Sequence, residues 1–107
     1  TKPPTTRTKS MCKGQAVATA LISDDDRTRV TRFDFAPGSE TGWHVHEYDY
    51  VIVTLTDCSM KMREPGDVEK ETLIPAGTVY RRDKGIEHNV INAGASQMSF
   101  VEIELLE

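Results

Sequence analysis

Apolar and polar residues alternate in short runs from residue 15 onward, and turn-forming residues such as glycine, proline and asparagine separate the runs. The segments that we predict as strands on this pattern are 16–23, 28–35, 44–56, 59–63, 68–74, 79–82, 87–91 and 97–106. Short strands at regular spacing, without a helical segment of useful length, are typical of an antiparallel sandwich or barrel. The pattern therefore predicts an all-β fold.

The predicted strand that continues from Tyr50 carries apolar residues on both faces. One face has Val51, Val53 and Leu55, and the opposite face has Ile52. A strand of this kind is covered on both sides. In a chain of 107 residues we expect the second cover to be another protomer or the N-terminal arm, and a homodimer is the expected assembly.

The length of the chain limits the number of domains, and its net charge limits the classes of partner. A chain of 107 residues and 12.0 kDa forms one domain, which we place at residues 15–107, after a polar and flexible arm at residues 1–14. A net charge of −4 argues against nucleic-acid and anionic-membrane partners, which require a basic surface. No apolar run is long enough to span a membrane, so the chain is expected to be soluble and cytoplasmic.

Two features that could suggest a metal or redox site have simpler explanations. Cys12 and Cys58 lie far apart with no neighbouring cysteine or histidine, which predicts free thiols. The run Asp24-Asp25-Asp26 lacks the alternating ligands and closing glutamate of a calcium loop. It is predicted to be a solvated hairpin turn.

All three histidines of the chain can belong to one site. His44 and His46 lie two residues apart in a predicted strand, so their side chains point to the same face. His88 follows much later, in another predicted strand. Neutral imidazoles are good ligands for zinc, iron, copper and nickel. The histidines therefore predict a metal site, the alternative being that all three are surface or turn residues.

Two motifs resemble those of the cupin family. In the first, Gly38 is followed by five residues, then His44-Val45-His46, three residues and Tyr50, with Asp57 near the place of the closing glycine. In this family's first motif a glutamate ligand stands at the position that Tyr50 occupies. The carboxylate ligand of the family is therefore replaced by a phenol.

The second motif keeps its internal spacing with one substitution. Gly77 is followed by five residues, then Asp83-Lys84-Gly85, two residues, His88, three residues and Asn92. Asp83 replaces the proline of the family pattern. The resemblance implies a single antiparallel barrel of the double-stranded β-helix or jelly-roll type. It also implies that His44, His46 and His88 bind one divalent transition metal.

Three neutral ligands leave the charge of the metal uncompensated and its other positions open. Such a site favours a small anionic or chelating substrate and can accommodate dioxygen as well. The resemblance to three-histidine cupin dioxygenases implies iron and dioxygenase (oxidoreductase) chemistry, although zinc, nickel, manganese or copper could also bind. The alternatives are a non-oxidative isomerase, lyase or decarboxylase, and a non-catalytic small-ligand-binding module.

Several residues near the histidines are candidates for substrate contacts. Tyr50 is predicted either to exchange a hydrogen bond or proton with the substrate or to pack against a ligand imidazole. Tyr48 shares the phase of the histidines, and Tyr80 and Arg82 share a phase on a later strand, so these three are predicted to bind substrate. Asp49 would face away from the metal unless the strand contains a bulge, in which case it is the most credible replacement fourth ligand.

Overall fold

The structure is a computed structural model that describes residues 14–23 and 27–106. Most of the predicted N-terminal arm, including Cys12, lies outside the described residues, as does the run Asp24-Asp25-Asp26. Within the described residues no helix is present that could cross a membrane.

The described residues contain nine strands and no helix, which confirms the all-β prediction. They are β1 (Val17–Ile22), β2 (Thr28–Phe35), β3 (His44–Val45), β4 (Asp49–Thr54), β5 (Cys58–Glu64), β6 (Val68–Ile74), β7 (Val79–Arg82), β8 (Glu87–Asn92) and β9 (Met98–Leu105).

The strands form two antiparallel sheets that face each other. The five-stranded sheet has the order β1-β2-β9-β4-β7, and the four-stranded sheet has the order β3-β8-β5-β6. This is the predicted jelly roll, although hydrogen bonds do not close the two sheets into one continuous barrel. In both sheets most neighbouring strands are not consecutive in the sequence. Segments that are distant along the chain therefore meet between the two sheets.

The core lies between the sheets. Phe35, Met60 and Met98 are almost completely buried, and the ring of Phe100 lies 5.4 Å from that of Phe35. These two methionines therefore fill the interior. Cys58 is a buried free thiol, in agreement with the prediction.

The predicted strand 44–56 is divided, and its two parts belong to different sheets. β3 pairs with β8, whereas β4 pairs with β7 and β9. At the crossing, the His46 amide donates to the Ile86 carbonyl oxygen at 2.9 Å, and the Gly85 amide donates to the His46 carbonyl oxygen at 2.7 Å. Residues 46–48 change partners at this point, so the alternation of faces is interrupted between His46 and β4.

Candidate metal centre

Three imidazoles converge on one point. His44 lies directly opposite His88 in the β3–β8 pair, and His46 follows at the crossing between the sheets. The Nε2 atom of His46 lies 3.1 Å from that of His44 and 3.1 Å from that of His88. Each histidine offers a nitrogen within 4.8 Å of the others, a spacing at which they could hold one ion.

The donor geometry fits a divalent transition metal. Two nitrogens that each lie about 2.1 Å from one ion, at right angles, are about 3.0 Å apart. Both short Nε2 separations agree with this value. The Nδ1 atom of His44 is 2.9 Å from the Gly42 carbonyl oxygen, which can only accept a hydrogen bond. Nδ1 of His44 therefore carries the proton, and Nε2 presents its lone pair to the centre.

Burial keeps two of the imidazoles neutral. Loss of solvent, aided by the neighbouring His44, lowers the pKa of His46 to about 4 and the pKa of His88 to about 3. Both side chains are buried, at 5% and 4% exposure. A neutral imidazole is the form that binds a metal, so these ligands do not first have to lose a proton near neutral pH.

A hydrogen-bonded loop fixes His44 against β8. The Gly42 amide donates to Oδ1 of Asn89 at 3.0 Å, and Nδ2 of Asn89 donates to the Glu40 carboxylate at 2.7 Å. Gly42 has a positive φ of 87°, which favours glycine at this position. Asn89 therefore connects the segment before β3 to the strand that carries His88.

The histidines line a cavity of about 270 Å³ between the sheets. Aromatic and aliphatic side chains form most of its wall, including Phe33, Ile52, Met60, Met62, Val90 and Phe100. The polar lining residues besides the histidines are Thr41, Tyr50, Tyr80, Arg82 and Glu102. An apolar cavity with a few convergent polar groups is the usual form of a small-molecule site.

Tyr50 lies beside the centre and makes the packing contact that was predicted as one of its two roles. Its ring stacks on the His46 imidazole, with centroids 3.9 Å apart and an interplanar angle of 19°. Its hydroxyl is buried and has no hydrogen-bond partner among the described residues. Burial raises the pKa of Tyr50 well above its ordinary value, so the phenol stays protonated. The ring therefore packs against the His46 imidazole, and the hydroxyl has no partner among the described residues.

Glu102 is a cavity residue that the sequence analysis missed. Its Oε1 atom lies 4.0 Å from Nδ1 of His46, on the side of the imidazole away from the centre. Burial, followed by the charge of Glu104, raises the pKa of Glu102 to about 7. A carboxylate beside the outer nitrogen of a ligand imidazole is a common device for orienting the ring. The sequence signal was the alternation along β9, but it does not show which phase points inward.

The structure brings two of the three other predicted substrate contacts to the cavity. Tyr80 and Arg82 lie on its wall, and Arg82 is opposite Tyr50 in the β4–β7 pair. Burial raises the pKa of Tyr80, so this residue is also a neutral phenol. Arg81 points outward and pairs with Asp49 at 2.9 Å. Arg82 is thus the arginine of this pair that a cavity-bound anion can reach.

Tyr48 and Asp49 do not join the histidines. Tyr48 is absent from the cavity wall, and its ring lies 5.9 Å from the Arg29 guanidinium carbon. The interrupted strand accounts for this position, because the phase of His44 and His46 does not continue through residue 48. The Asp49 carboxylate accepts hydrogen bonds from Arg81 and from the Lys84 amide, and it is not placed to act as a fourth ligand.

Comparisons with known proteins agree with this architecture. A family model described as a cupin domain matches residues 31–104. The chain is 45% identical over 91 residues to the beta-alanine degradation protein BauB of Pseudomonas aeruginosa, covering 85% of this chain and 94% of that protein. These matches extend over most of the described domain.

Solved structures give the same result. A cupin domain from Bordetella pertussis Tohama I is 40% identical, with a TM-score of 0.83 over 90% of this chain and 98% of that chain. The polyketide cyclase RemF from Streptomyces resistomycificus shares the fold at 22% identity, with a TM-score of 0.67 over 90% of this chain and 70% of that chain. With its two motifs, its jelly roll and these similarities, the chain belongs to the cupin family.

Proposed function

We propose that this cupin is a metal-dependent enzyme that acts on a small anionic molecule, with dioxygenase chemistry as the leading reaction class. The observation that carries the proposal is the convergence of three Nε2 atoms in the wall of a mostly apolar cavity. His44, His46 and His88 would hold a divalent transition metal, with iron as the leading candidate. The bound ion would supply a Lewis acid with open positions for a chelating substrate and dioxygen.

The cavity supports a small substrate with at least one carboxylate. Its volume of about 270 Å³ is below the range typical of sites for drug-sized ligands. Arg82 on its wall offers a planar group that can bind a carboxylate through two hydrogen bonds. The relative BauB is named for beta-alanine degradation, which supports a short-chain carboxylic acid as substrate.

Two groups in the wall are suited to move or hold a proton. The Tyr50 hydroxyl is buried without a partner among the described residues, so it can donate to an oxygen of the bound substrate. The Glu102 carboxyl lies 4.0 Å from the outer nitrogen of His46, so a small movement would let it accept a hydrogen bond from that imidazole and orient it. Apolar neighbours such as Ile52 and Phe100 exclude water from the same space.

The presence of both groups also favours a second candidate, a non-oxidative isomerase, lyase or decarboxylase. In that reaction class a bound ion would supply Lewis acidity to a substrate carbonyl, and the chemistry would depend on proton transfer by a residue such as Tyr50. The two candidates differ in one observable quantity, because only the oxygenase consumes dioxygen. Product formation without oxygen uptake would therefore support the second candidate.

Oxygen uptake by the iron-loaded protein tests the leading proposal. We expect uptake with one or more members of a panel of short carboxylic acids, β-diketones and small thiols, and loss of uptake in His88→Ala. Arg82→Lys is expected to raise KM for a carboxylate at least about 10-fold, since lysine cannot form the bidentate pair. Arg81→Lys is the matched control, because Arg81 points outward toward Asp49. No uptake with any panel member, or equal effects of the two arginine variants, would contradict the proposal.

A further inference from the structure

The edges of the two sheets leave an opening beside the cavity. β6 ends the four-stranded sheet and β7 ends the five-stranded sheet, and the described pairings do not join these two strands. A groove of about 420 Å³, which we call the outer groove, is lined by Met62, Glu64, Lys70, Glu71, Thr72 and Arg82. Met62 and Arg82 also line the cavity that contains the histidines. The outer groove therefore adjoins the cavity at these two side chains.

Burial stops between β5 and β6, so the outer groove is open to solvent. In the β5–β6 register Met60 lies opposite Thr72 and Met62 lies opposite Lys70, which gives all four side chains the same face of the sheet. The two methionines are 2% and 8% exposed, whereas the side chain of Lys70 is 67% exposed. The five-stranded sheet therefore covers the inner face of β5 but not that of β6. A molecule from solvent can reach Met62 along this uncovered face.

The charges of the outer groove leave one positive group uncompensated next to the cavity. Nζ of Lys70 lies 3.4 Å from Oε1 of Glu64, so these two charges largely cancel each other. Glu71 has the outward phase of β6, since it lies opposite Lys61 rather than opposite an inner methionine. The described residues provide Arg82 with no hydrogen bond or ion pair. Its guanidinium is therefore available to an anion where the groove meets the cavity.

We propose that the outer groove is the entrance by which an anionic substrate reaches the histidines, and that Arg82 and Lys70 favour negative charge there. The inference rests on the proposed function in one respect, namely that the substrate binds in the three-histidine cavity. Arg82 attracts the anion directly, and Lys70 acts by neutralising Glu64, which would otherwise repel it. Local positive charge is needed because the chain as a whole has a net charge of −4.

A second approach to the cavity, beside β3, is less suited to an anion. His44 is half-buried there, and Thr41 lines the cavity next to it. Among the described residues that line the cavity, Arg82 on β7 is the one basic side chain. An anion that arrived beside β3 would pass the Glu40 carboxylate, which accepts a hydrogen bond from Asn89, before it met that guanidinium. Charge therefore favours the outer groove.

Alkylation of the histidines in the full chain, freed of metal with a chelator, tests the entrance without metal or turnover. Iodoacetate and iodoacetamide are similar in size, but only iodoacetate is an anion. In both reactions an imidazole nitrogen bonds to the CH₂ carbon, iodide leaves, and the ring releases a proton to solvent. Peptide mass spectrometry measures the rates at His46 and His88 separately from those at the cysteines. Relative to free imidazole, we expect a preference for iodoacetate of at least about 5-fold.

A bulky side chain in the outer groove tests the route itself. Thr72→Trp is expected to slow alkylation of His46 and His88 by both reagents severalfold, because Thr72 has the inward phase of β6. Leu73→Trp is the control, since Leu73 is the next residue, has the outward phase and is 69% exposed. It should react as the unmodified protein does. Equal rates in the two tryptophan variants, or no reaction at either histidine in the unmodified protein, would overturn the entrance.

Loss of one positive charge tests the preference for anions. Arg82→Gln and Lys70→Gln are each expected to remove most of the preference for iodoacetate and to leave the rate with iodoacetamide unchanged. Arg81→Gln should keep the preference, because Arg81 points outward toward Asp49. A preference that survives in Arg82→Gln, or that falls as much in Arg81→Gln, would overturn the role of charge. These readouts do not depend on metal content or oxygen uptake, so a failure here is distinguishable from a failure of the proposed function.

Discussion

Tyr50 makes a stacking contact and carries an unpaired hydroxyl, and one substitution separates the two. Phenylalanine retains the ring that stacks on His46 and removes only the buried oxygen. At the position of the family's carboxylate ligand, Tyr50 therefore combines a ring that packs against His46 with a hydroxyl that is free to react. The sequence allows both roles for Tyr50 to be considered, but only the structure shows that its ring stacks on His46.

Tyr50→Phe is expected to keep the metal and lose most of its turnover. Loss of a proton donor lowers kcat by about 100-fold or more. Removal of a buried hydroxyl without a partner raises the free energy of unfolding by about 1 kcal/mol. Metal analysis, steady-state kinetics and urea unfolding measure the three quantities. An unchanged kcat would assign Tyr50 to packing alone.

Glu102 is expected to make the stability of the metal-free protein depend on pH. Its folded pKa of about 7 lies above the ordinary value of 4.5, so its contribution to stability is fully present below about pH 4.5 and is lost as pH rises through 7. Glutamine does not titrate, so Glu102→Gln should become more stable than the unmodified protein at higher pH. The difference should grow to about 3 kcal/mol at most near pH 8.

Urea unfolding at about pH 5 and about pH 8 measures this dependence for Glu102. Glu71→Gln, on the exposed strand β6, controls for the loss of one surface charge. If the difference between Glu102→Gln and the unmodified protein were the same at both pH values, the carboxyl would not be buried as described.

At the scale of elements, local patterns predict most strands and long-range pairing determines the rest. The predicted bounds of β2, β6 and β7 agree with the structure, because alternation and flanking turn residues are local signals. The division of 44–56 into β3 and β4 depends on which distant strand each part joins. No local pattern carries that information.

In the candidate site, too, local sequence patterns identify some residues, whereas others depend on long-range strand pairing. The spacing within the two motifs identifies His44, His46 and His88 before any coordinates are considered. The alternation along β9 predicts a strand, but it does not show that the phase of Glu102 is the inner one. In a sheet with an aliphatic outer face, hydrophobicity does not distinguish the two sides. Only the pairing with β2 and β4 determines that Glu102 points inward.

The two buried asparagines of β8 are expected to differ in their effect on the metal centre. Asn89 bonds the Gly42 amide beside β3, whereas Asn92 bonds the Phe35 and Ser96 carbonyl oxygens at the other end of the strand. Either change to alanine should cost about 1–3 kcal/mol of stability. Only Asn89→Ala should weaken metal binding, by about 10- to 100-fold.

Isothermal titration with zinc and urea unfolding of both asparagine variants measure these effects. The two residues are similarly buried, at 3% and 2% exposure, so Asn92→Ala controls for general destabilisation. Equal losses of zinc affinity in the two variants would show that the Asn89 contact does not position His44.

At the scale of the whole molecule, the candidate metal centre joins segments that are distant in sequence. His44 and His88 belong to the four-stranded sheet, and the chain crosses at His46 to the five-stranded sheet. An ion bound by all three requires the folded arrangement, so it stabilises the native state. The jelly roll thus provides both the convergence of ligands and the cavity next to them.

The metal content of the purified protein, measured per chain by mass spectrometry of the elements, tests the three-histidine centre most directly. The unmodified protein should contain one transition-metal ion per chain, and His44→Ala, His46→Ala and His88→Ala should each lose most of it while remaining folded. Retention of a full complement of metal in any of these folded variants would contradict the proposed centre.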